Sequence, residues 1–233
     1  MASIQPEGVL APLYLSEAIV PACAPVQLPA FPACRLPPPR GSNILLIIPT
    51  GNKDKMDVIK ECVEHHALLG AQVFTETVHV DSGVGEQPYN SAGALGVFNR
   101  ISNALKTISD DRLASLMEEH GIGTVLVGAI ENFVQTKDVP RPADHAVAVL
   151  HNATTGEMAT ACSRGVTLDP EYVGWAMALG CVHGHPDHGK ETVGNMLAAR
   201  FQGLDSKNWH EVLAGVSRYA LLREALANLN FTW

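Results

Sequence analysis

One short segment constrains the fold of this chain more than any other: an apolar run that ends in a small polar loop. The run covers residues 44–48 and contains only isoleucine and leucine, and the loop covers residues 50–55 and carries two lysines. Met56, Ile59 and Val63 then recur at helical spacing, so we predict a buried strand, a loop and a helix in succession. The N–H groups at the helix start and the lysine charges would attract an anion, and a nucleotide is the first anion to consider.

The charge of the chain confines such an anion site to a local surface. The formal net charge is −8, which argues against a general surface for nucleic acid or for an anionic membrane. We therefore expect no nucleic-acid partner. We also expect no membrane span, because no apolar run approaches the roughly eighteen residues that a span needs. The five cysteines are scattered without a CxxC pair, and no secretory signal is recognisable. We therefore expect reduced thiols and a cytoplasmic location.

The proline content divides the chain into two regions. Nine of the fifteen prolines fall within the first forty residues, which carry few charges. This composition is typical of an extended segment. We therefore predict a proline-rich N-terminal arm over residues 1–41 and an α/β domain over residues 42–233. The arm also contains apolar clusters, so we expect it to lie along a partner protein or along its own domain.

The remaining segments alternate between strand and helix patterns. Further strands are predicted at 72–80, 124–130, 145–150 and 158–162, and further helices at 91–106, 169–179 and 208–229. Turn-forming residues between the last two strands favour an antiparallel hairpin. A hairpin added to parallel strands makes the sheet mixed, so the expected fold class is α/β, with a mixed central β-sheet flanked by helices.

Two carboxylates follow predicted strand ends. Asp81 comes after the second strand pattern and Glu131 after the third. In an open α/β sheet a ligand sits beyond the strand ends, so these carboxylates and the loop at 50–55 would converge on a triphosphate with a divalent cation. The alternative is that Asp81 caps a turn and that Glu131 is a solvated residue at a strand end.

Four segments, in order along the chain, carry the motifs of one enzyme family. Residues 50–55 fit Thr-x-Asn-x-x-Lys, and residues 81–89 fit an acidic residue followed by Ser-Gly-Val-x-Glu-Gln-Pro and an aromatic residue. Residues 99–104 fit Asn-Arg-x-x-Asn-Ala, and residues 129–131 read Ala-Ile-Glu. The chain thereby resembles the inosine/xanthosine triphosphatases, which act on non-standard purine nucleotides. Segment 132–134, residues 209–210 and 215–218 and the proline-rich arm resemble their eukaryotic branch, the proline-rich and coiled-coil-containing proteins.

This resemblance implies a fold, a substrate and a set of site residues. The implied fold is inosine triphosphatase-like, with a mixed sheet flanked by helices in two lobes, and the chain would form a homodimer. A purine nucleoside triphosphate would bind with Mg²⁺ or Mn²⁺, and ITP or XTP would be hydrolysed. The implied substrate-binding residues are Thr50, Gly51, Asn52, Lys55 and Lys190. Asp81 and Glu131 are implied both as catalytic residues and as metal ligands.

Two departures from the family pattern leave a second function open. Lys53 stands where the family usually has proline, and segment 121–124 lacks the carboxylate that the family has shortly before the Ala-Ile-Glu motif. Both departures are compatible with a catalytically inactive member of the fold that serves as a scaffold or subunit in a multiprotein assembly. Its protein partners would bind the proline-rich arm and the C-terminal helix.

A histidine-rich loop supports a third function. Residues 183–188 have the H-x-H-x-D-H spacing of metallo-β-lactamase-type zinc hydrolases. In those enzymes a strand precedes the motif and further ligands follow, whereas here a helix pattern precedes it and His210 is the sole later histidine. The alternative is a polar loop before the next helix, and in the triphosphatase alignment Lys190 of this loop is a second phosphate contact.

Overall fold

A computed structural model describes residues 18–24, 26–32 and 36–231, so residues 1–17, 25 and 33–35 of the predicted arm lie outside the described residues. The strands are β1 (Ile19–Val20), β2 (Asn43–Ile48), β3 (Val73–Thr77), β4 (Gln87–Pro88), β5 (Ile122–Gln135), β6 (Ala143–Asn152), β7 (Met158–Cys162), β8 (Gly165–Thr167) and β9 (His188–Gly189). The helices are α1 (Lys53–His66), α2 (Ala92–Thr107), α3 (Asp110–Glu119), α4 (Pro170–Ala178), α5 (Val193–Arg200), α6 (Trp209–Ala214) and α7 (Arg218–Ala227). No helix in these described ranges is both long and apolar enough to cross a membrane.

The central sheet is mixed, as predicted. Its strand order is β1-β8-β6-β5-β2-β3, and β7 pairs with β6 beside β8. Strand β2 is parallel to both β3 and β5, whereas β5, β6, β7 and β8 are joined by antiparallel pairings. Strands β4 and β9 form a separate two-stranded antiparallel sheet. The chain is therefore an α/β protein in which a parallel half of the sheet continues into an antiparallel half.

Strand β2 lies in the hydrophobic core between two layers of helices. Leu46 and Ile48 pack on the side of α1 and α7, whereas Leu45 and Ile47 pack on the side of α2 and α3. Because both faces of the strand are covered, its sequence is continuously apolar instead of alternating. The predicted succession of strand, loop and helix is confirmed.

The helical pattern at the C-terminal end is divided into two helices. Gly215 ends α6 in the left-handed conformation, with φ of 65°, and the hydroxyl of Ser217 then caps α7 by accepting a hydrogen bond from the N–H of Ala220. A single helix over 208–229 is therefore wrong, because the glycine stops the first helix after six residues. Helix α7 packs against α1 inside the chain.

The described part of the arm packs against the domain. Strand β1 extends the central sheet by pairing antiparallel with β8. Further along, the ring of Phe31 stacks on Phe98 at 5.1 Å between ring centroids and lies 4.7 Å from the ring centroid of His151. The arm was expected to lie either along a partner protein or along its own domain, and its described residues lie along its own domain.

Replacing Phe31 with alanine tests how much this packing contributes to stability. We expect Phe31→Ala to lower the free energy of unfolding by about 1–2 kcal/mol, less than for a fully buried phenylalanine because this ring is half-buried. The measurement is denaturant unfolding. Leu69→Ala removes a fully exposed side chain and should change stability by less than about 0.5 kcal/mol. Equal stability of both variants would contradict a stabilising arm.

Candidate functional site

Most of the sequence-predicted site residues line one cleft of about 570 Å³, a volume typical of small-molecule sites. These residues are Thr50, Asn52, Lys55, Asp81, Glu131 and Lys190. They come from the loop after β2, the loop after β3, strand β5 and the position after β9, so four separate segments meet here. Gly51 does not line the cleft; a β-carbon at this position would lie 2.7 Å from the imidazole of His79.

The loop before α1 is fixed by its own side chains. The Oγ1 of Thr50 accepts a hydrogen bond from the N–H of Asn52 at 3.1 Å, and the Oδ1 of Asn52 accepts one from the N–H of Lys55 at 3.0 Å. Asn52 is thereby the N-cap of α1. Since the N-terminal end of a helix carries partial positive charge, this loop presents positive potential to the cleft.

Lys55 places a cation against the floor of the cleft. Its Nζ donates a hydrogen bond to the carbonyl oxygen of Ile130 at 3.0 Å. Burial lowers the pKa of Lys55 to about 8, and the charge of the nearby Glu131 limits that lowering. An anion bound beside the ammonium would raise the pKa again, because it stabilises the protonated form.

Arg100 of α2 holds three neighbouring strands together at one end of the sheet. It contacts a residue inside β5 and the segments that follow β2 and β3. Its Nε donates to the Oε2 of Glu131 in β5 at 2.6 Å. Its Nη1 donates to the carbonyl of Val80 after β3 at 2.9 Å and to that of Pro49 after β2 at 3.4 Å. Glu131 is therefore a buried, ion-paired residue inside a strand, and its expected alternative as a solvated strand-end residue is wrong.

Asp81 lies in a loop that α2 also holds. Its Oδ1 accepts a hydrogen bond from the N–H of Gly83 at 2.9 Å, so Asp81 does cap a turn, while its side chain also lines the cleft. Asn99 donates to the carbonyl of Ser82 at 2.7 Å, and Asn103 donates to the carbonyl of Asp81 at 3.2 Å. The two asparagines of the 99–104 motif thus position the acidic loop without lining the cleft themselves.

A second helix N-terminus, that of α5, also lines the cleft. The Oγ1 of Thr192 caps α5 by accepting from the N–H of Asn195 at 3.1 Å, and the N–H of Val193 donates to the Oε1 of Gln87 at 3.1 Å. Lys190 lies just before this cap and is exposed. Two helix N-termini, each with a lysine beside it, therefore line the cleft, and such groups favour anions.

A buried acid–base pair in the cleft wall was not predicted. The Oδ2 of Asp144 in β6 lies 2.7 Å from the Nε2 of His210 in α6, and both residues line the cleft. The two residues are 66 positions apart and share no local motif, so the sequence contained no signal for the pair. Lys207 and Arg218 also line the cleft without having been predicted.

Unsatisfied polar atoms are concentrated in the cleft wall. Six buried side-chain atoms in the described ranges have no hydrogen-bond partner, and three of them belong to cleft residues: the Oδ1 of Asn132, the Nδ1 of His210 and the Nε of Arg218. Buried polar atoms are normally paired, so each exception needs a reason. These three atoms have almost no accessible surface, so they lie inside the cleft wall, behind the groups that face the cleft.

The cleft lining is cationic although the whole chain is acidic. Its basic side chains are Lys55, Arg100, Lys190, Lys207 and Arg218. Its carboxylates are Asp81, Glu86, Glu131 and Asp144. Two of these carboxylates are already paired within the protein, Glu131 with Arg100 and Asp144 with His210. The pair with Glu131 also uses the charge of Arg100, so the lining has a formal excess of one positive charge, five basic side chains against four carboxylates, in a chain whose net charge is −8.

The histidine-rich loop does not assemble a metal centre. The rings of His185 and His188 stack, with centroids 3.9 Å apart and planes 20° apart. Asp187 instead accepts hydrogen bonds from Asn90 at 3.0 Å and from Lys137 at 3.1 Å. In the described part of the chain, no group of three or more His, Cys, Asp or Glu residues is arranged to hold a metal ion. The zinc hydrolase hypothesis therefore gains no support.

Comparisons with known proteins bear on the fold. The chain matches no protein-family model, and no similar protein is found among curated proteins. Among solved structures it is similar to the crystal structure of protein VC0702 from Vibrio cholerae, with a TM-score of 0.54 and 13% sequence identity. The similarity covers 79% of this chain and 91% of that one. At this identity the likeness concerns the fold alone.

Proposed function

We propose that the cleft binds a purine nucleoside triphosphate together with Mg²⁺ or Mn²⁺, in an inosine triphosphatase-like fold of two lobes. The observation that carries this proposal is the meeting of six predicted site residues, from four segments of the sequence, in one cleft. These residues were predicted from sequence motifs to bind one ligand, and residues so far apart in sequence would rarely meet in one cleft by chance. The small excess of basic side chains in the lining supports the same ligand class.

The phosphates would lie between the two helix N-termini. Thr50, Asn52 and Lys55 would contact the phosphate oxygens from the α1 side, and Lys190 would contact them from the α5 side. Backbone N–H groups at a helix start bind phosphate without a specific side chain, because they carry the positive end of the helix dipole. The triphosphate charge would thereby be balanced by groups that are already positioned.

The carboxylates of the cleft suit a cation that arrives with the nucleotide. The hydrogen bond of Asp81 to Gly83 uses only Oδ1, and the ion pair of Glu131 with Arg100 uses only Oε2. Mg²⁺ in nucleotide sites is commonly held by one or two carboxylates plus the phosphates, so Asp81 and Glu131 are the proposed ligands. Bound there, the cation would neutralise phosphate charge and polarise the phosphoryl group.

The geometry favours nucleotide binding over the scaffold hypothesis. The scaffold hypothesis relied on the arm and the C-terminal helix as surfaces for protein partners. In the described residues, β1 pairs with β8 and one face of α7 packs against α1, so these parts of the two elements are engaged within the chain, while residues 1–17 of the arm lie outside the described residues. The cleft is thus proposed to bind the nucleotide. Hydrolysis of ITP or XTP, in which Asp81 and Glu131 would act, is a separate activity and needs its own measurement.

Calorimetric titration of the protein with ITP in the presence of Mg²⁺ tests the proposal. We expect saturable binding of one nucleotide per chain. Lys190→Ala should weaken it by about tenfold, or about 1.4 kcal/mol, because one charged phosphate contact is lost. Asp81→Asn should remove the dependence on Mg²⁺. Phosphate release in the same samples reports hydrolysis.

The control variant for this titration is Lys60→Ala. Lys60 is exposed on α1 and pairs with Glu64 at 3.6 Å, and neither residue lines the cleft. Its loss changes the net charge of the protein as much as Lys190→Ala does, so an equal weakening by both variants would indicate a general charge effect. Absence of binding with ITP, XTP, GTP and ATP would overturn the proposal.

The lowered pKa of Lys55 predicts proton uptake on nucleotide binding. At pH 8 about half of the Lys55 side chains are neutral in the free protein, and a bound triphosphate would shift them to the protonated form. We therefore expect uptake of up to about half a proton per nucleotide at pH 8, and weaker binding as the pH rises through 8. Titrations in two buffers with different ionisation enthalpies measure the uptake. Lys55→Met should abolish the uptake, and Lys60→Ala should retain it.

A further inference from the structure

A second cavity, of about 780 Å³, lies between the arm and the central sheet, away from the cleft. Its lining is largely apolar and includes Val20, Ala24, Phe133 and Ala143, together with the thiol-bearing Cys23 and the imidazole of His145. None of the residues assigned to nucleotide binding lines it. The cavity gives a small molecule access to one particular sulfur atom.

Cys23 lies beside a second thiol. Its thiol is within interaction range of the Cys162 thiol and of the His145 imidazole. The Sγ of Cys162, at the end of β7, also contacts the carbonyl oxygen of Ala24, the residue after Cys23, at 3.8 Å. Both sulfurs are free thiols in this structure, and both side chains are half-buried. The contact of Cys162 with the residue after Cys23 makes the two thiols neighbours across the arm and the end of β7.

His145 is held in a fixed orientation beside the thiols. Its Nδ1 lies 3.2 Å from the carbonyl oxygen of Ser163, which can only accept, so the Nδ1 carries the proton and the Nε2 is left for Cys23. The ring packs against the backbone of Gly165, where a β-carbon would overlap it. The ring is buried and also stacks on Phe133 at 5.8 Å between centroids.

The surroundings make the two thiols chemically different. The hydrogen bond from Cys162 lowers the pKa of Cys23 more than burial raises it, and the hydrogen bond and charge of His145 lower it further. The pKa of Cys162 is raised, because it donates to the Cys23 sulfur and is partly buried. The pKa of His145 is raised although burial opposes this, because of its contacts with Cys23, Ser163 and Asp144. Cys23 is therefore the nucleophilic thiolate of the pair.

We infer that Cys23 and Cys162 are a redox-active pair that a small hydroperoxide, such as hydrogen peroxide, converts to a disulfide. The Cys23 thiolate attacks one peroxide oxygen, so an S–O bond forms while the O–O bond breaks, and the leaving hydroxide takes up a proton to become water. Cys162 then attacks the Cys23 sulfur, so the S–S bond forms and the S–O bond breaks. The departing hydroxide takes the proton of Cys162. Two thiols are oxidised and one peroxide is reduced to two waters.

Peptide mapping after treatment with one equivalent of hydrogen peroxide tests this inference. The tryptic peptide that ends at Arg35 contains both Cys23 and Cys34, so the full chain carries Cys34→Ser in this test. We expect loss of two hydrogen atoms in mass and a cross-link between Cys23 and Cys162. In Cys162→Ser the reaction should stop at a sulfenic acid on Cys23 that dimedone traps, and Cys23→Ser should prevent oxidation of Cys162. A disulfide between other cysteines, or no cross-link, would overturn the inference.

Alkylation rates of the cysteines in the protein without substitutions provide a second measurement. Burial raises the pKa of Cys62, which makes it the internal reference thiol. With iodoacetamide at pH 7, Cys23 should react at least about tenfold faster than Cys62. His145→Gln should slow Cys23 and leave Cys62 unchanged. Equal rates at the two cysteines in the protein with His145 would contradict the assignment of Cys23 as the thiolate, whether or not the His145 variant folds.

Discussion

Arg100→Met is expected to lower the free energy of unfolding by about 3 kcal/mol. The substitution leaves the carboxylate of Glu131, whose side chain is 7% exposed, without its cationic partner. It also removes the donors to the carbonyls of Val80 and Pro49, so the segments after β2 and β3 lose their common anchor. Denaturant unfolding followed by circular dichroism measures the loss.

Two further variants separate the buried charge from loss of the side chain. In the double variant Arg100→Met with Glu131→Gln, the unpaired charge is gone, and we expect at least about half of the lost stability to return. Arg223→Met makes the same change in an exposed pair, where Arg223 and Glu61 are each about half exposed, and should cost at most about 1 kcal/mol. If Arg100→Met costs no more than Arg223→Met, the burial of the ion pair has no energetic significance.

Gly194→Ala is expected to cost about 3 kcal/mol and to weaken nucleotide binding. A β-carbon at Gly194, in the first turn of α5, would overlap the carbonyl oxygen of Ser206 and lie 3.1 Å from the Cδ1 of Trp209. The backbone at Ser206 cannot rotate away as a side chain would, so the segment must move. Ser206 and Trp209 both line the cleft, so the same movement distorts the proposed binding site.

Gly174→Ala provides the contrasting case. Gly174 lies inside α4, and nothing lies within 4 Å of a β-carbon built there. Alanine is the better helix former, so this variant should gain about 0.5–1 kcal/mol and bind nucleotide normally. Thermal unfolding and the ITP titration measure both variants. A loss of similar size in each would show that contact with Ser206 is not the cause.

The parts of the fold that were predicted have strong local signals. Strand β2 is apolar throughout because both its faces are covered, and a run of that kind is visible without any knowledge of the fold. The meeting of Asp81 with the loop at 50–55 also follows from local order, since parallel strands end at the same edge of a sheet. Helix α3 was missed although it has an N-cap at Ser109 and apolar residues at Leu113, Leu116 and Met117.

The parts that were not predicted depend on contacts distant in sequence. Strand β1 has only two residues, Ile19–Val20, and no periodicity distinguishes it from the rest of the arm. The pairing of Asp144 with His210 requires knowledge of how α6 packs beside β6, which no spacing in the sequence encodes. Arg100 was recognised as part of a motif, but its three contacts become visible only when the segments around it are in place.

The pairing of β1 with β8 also has a consequence for the growing chain on the ribosome. The hydroxyl of Thr167 donates to the carbonyl of Ala18 at 3.3 Å across 149 positions of sequence. At about 5–20 residues per second, the arm would wait roughly 7–30 s for its partner strand to be made. Prolines lack the N–H that a neighbouring strand requires, so a proline-rich arm resists pairing with other nascent chains during this interval. The composition of the arm would thus protect the newly made protein from aggregation until β8 has emerged.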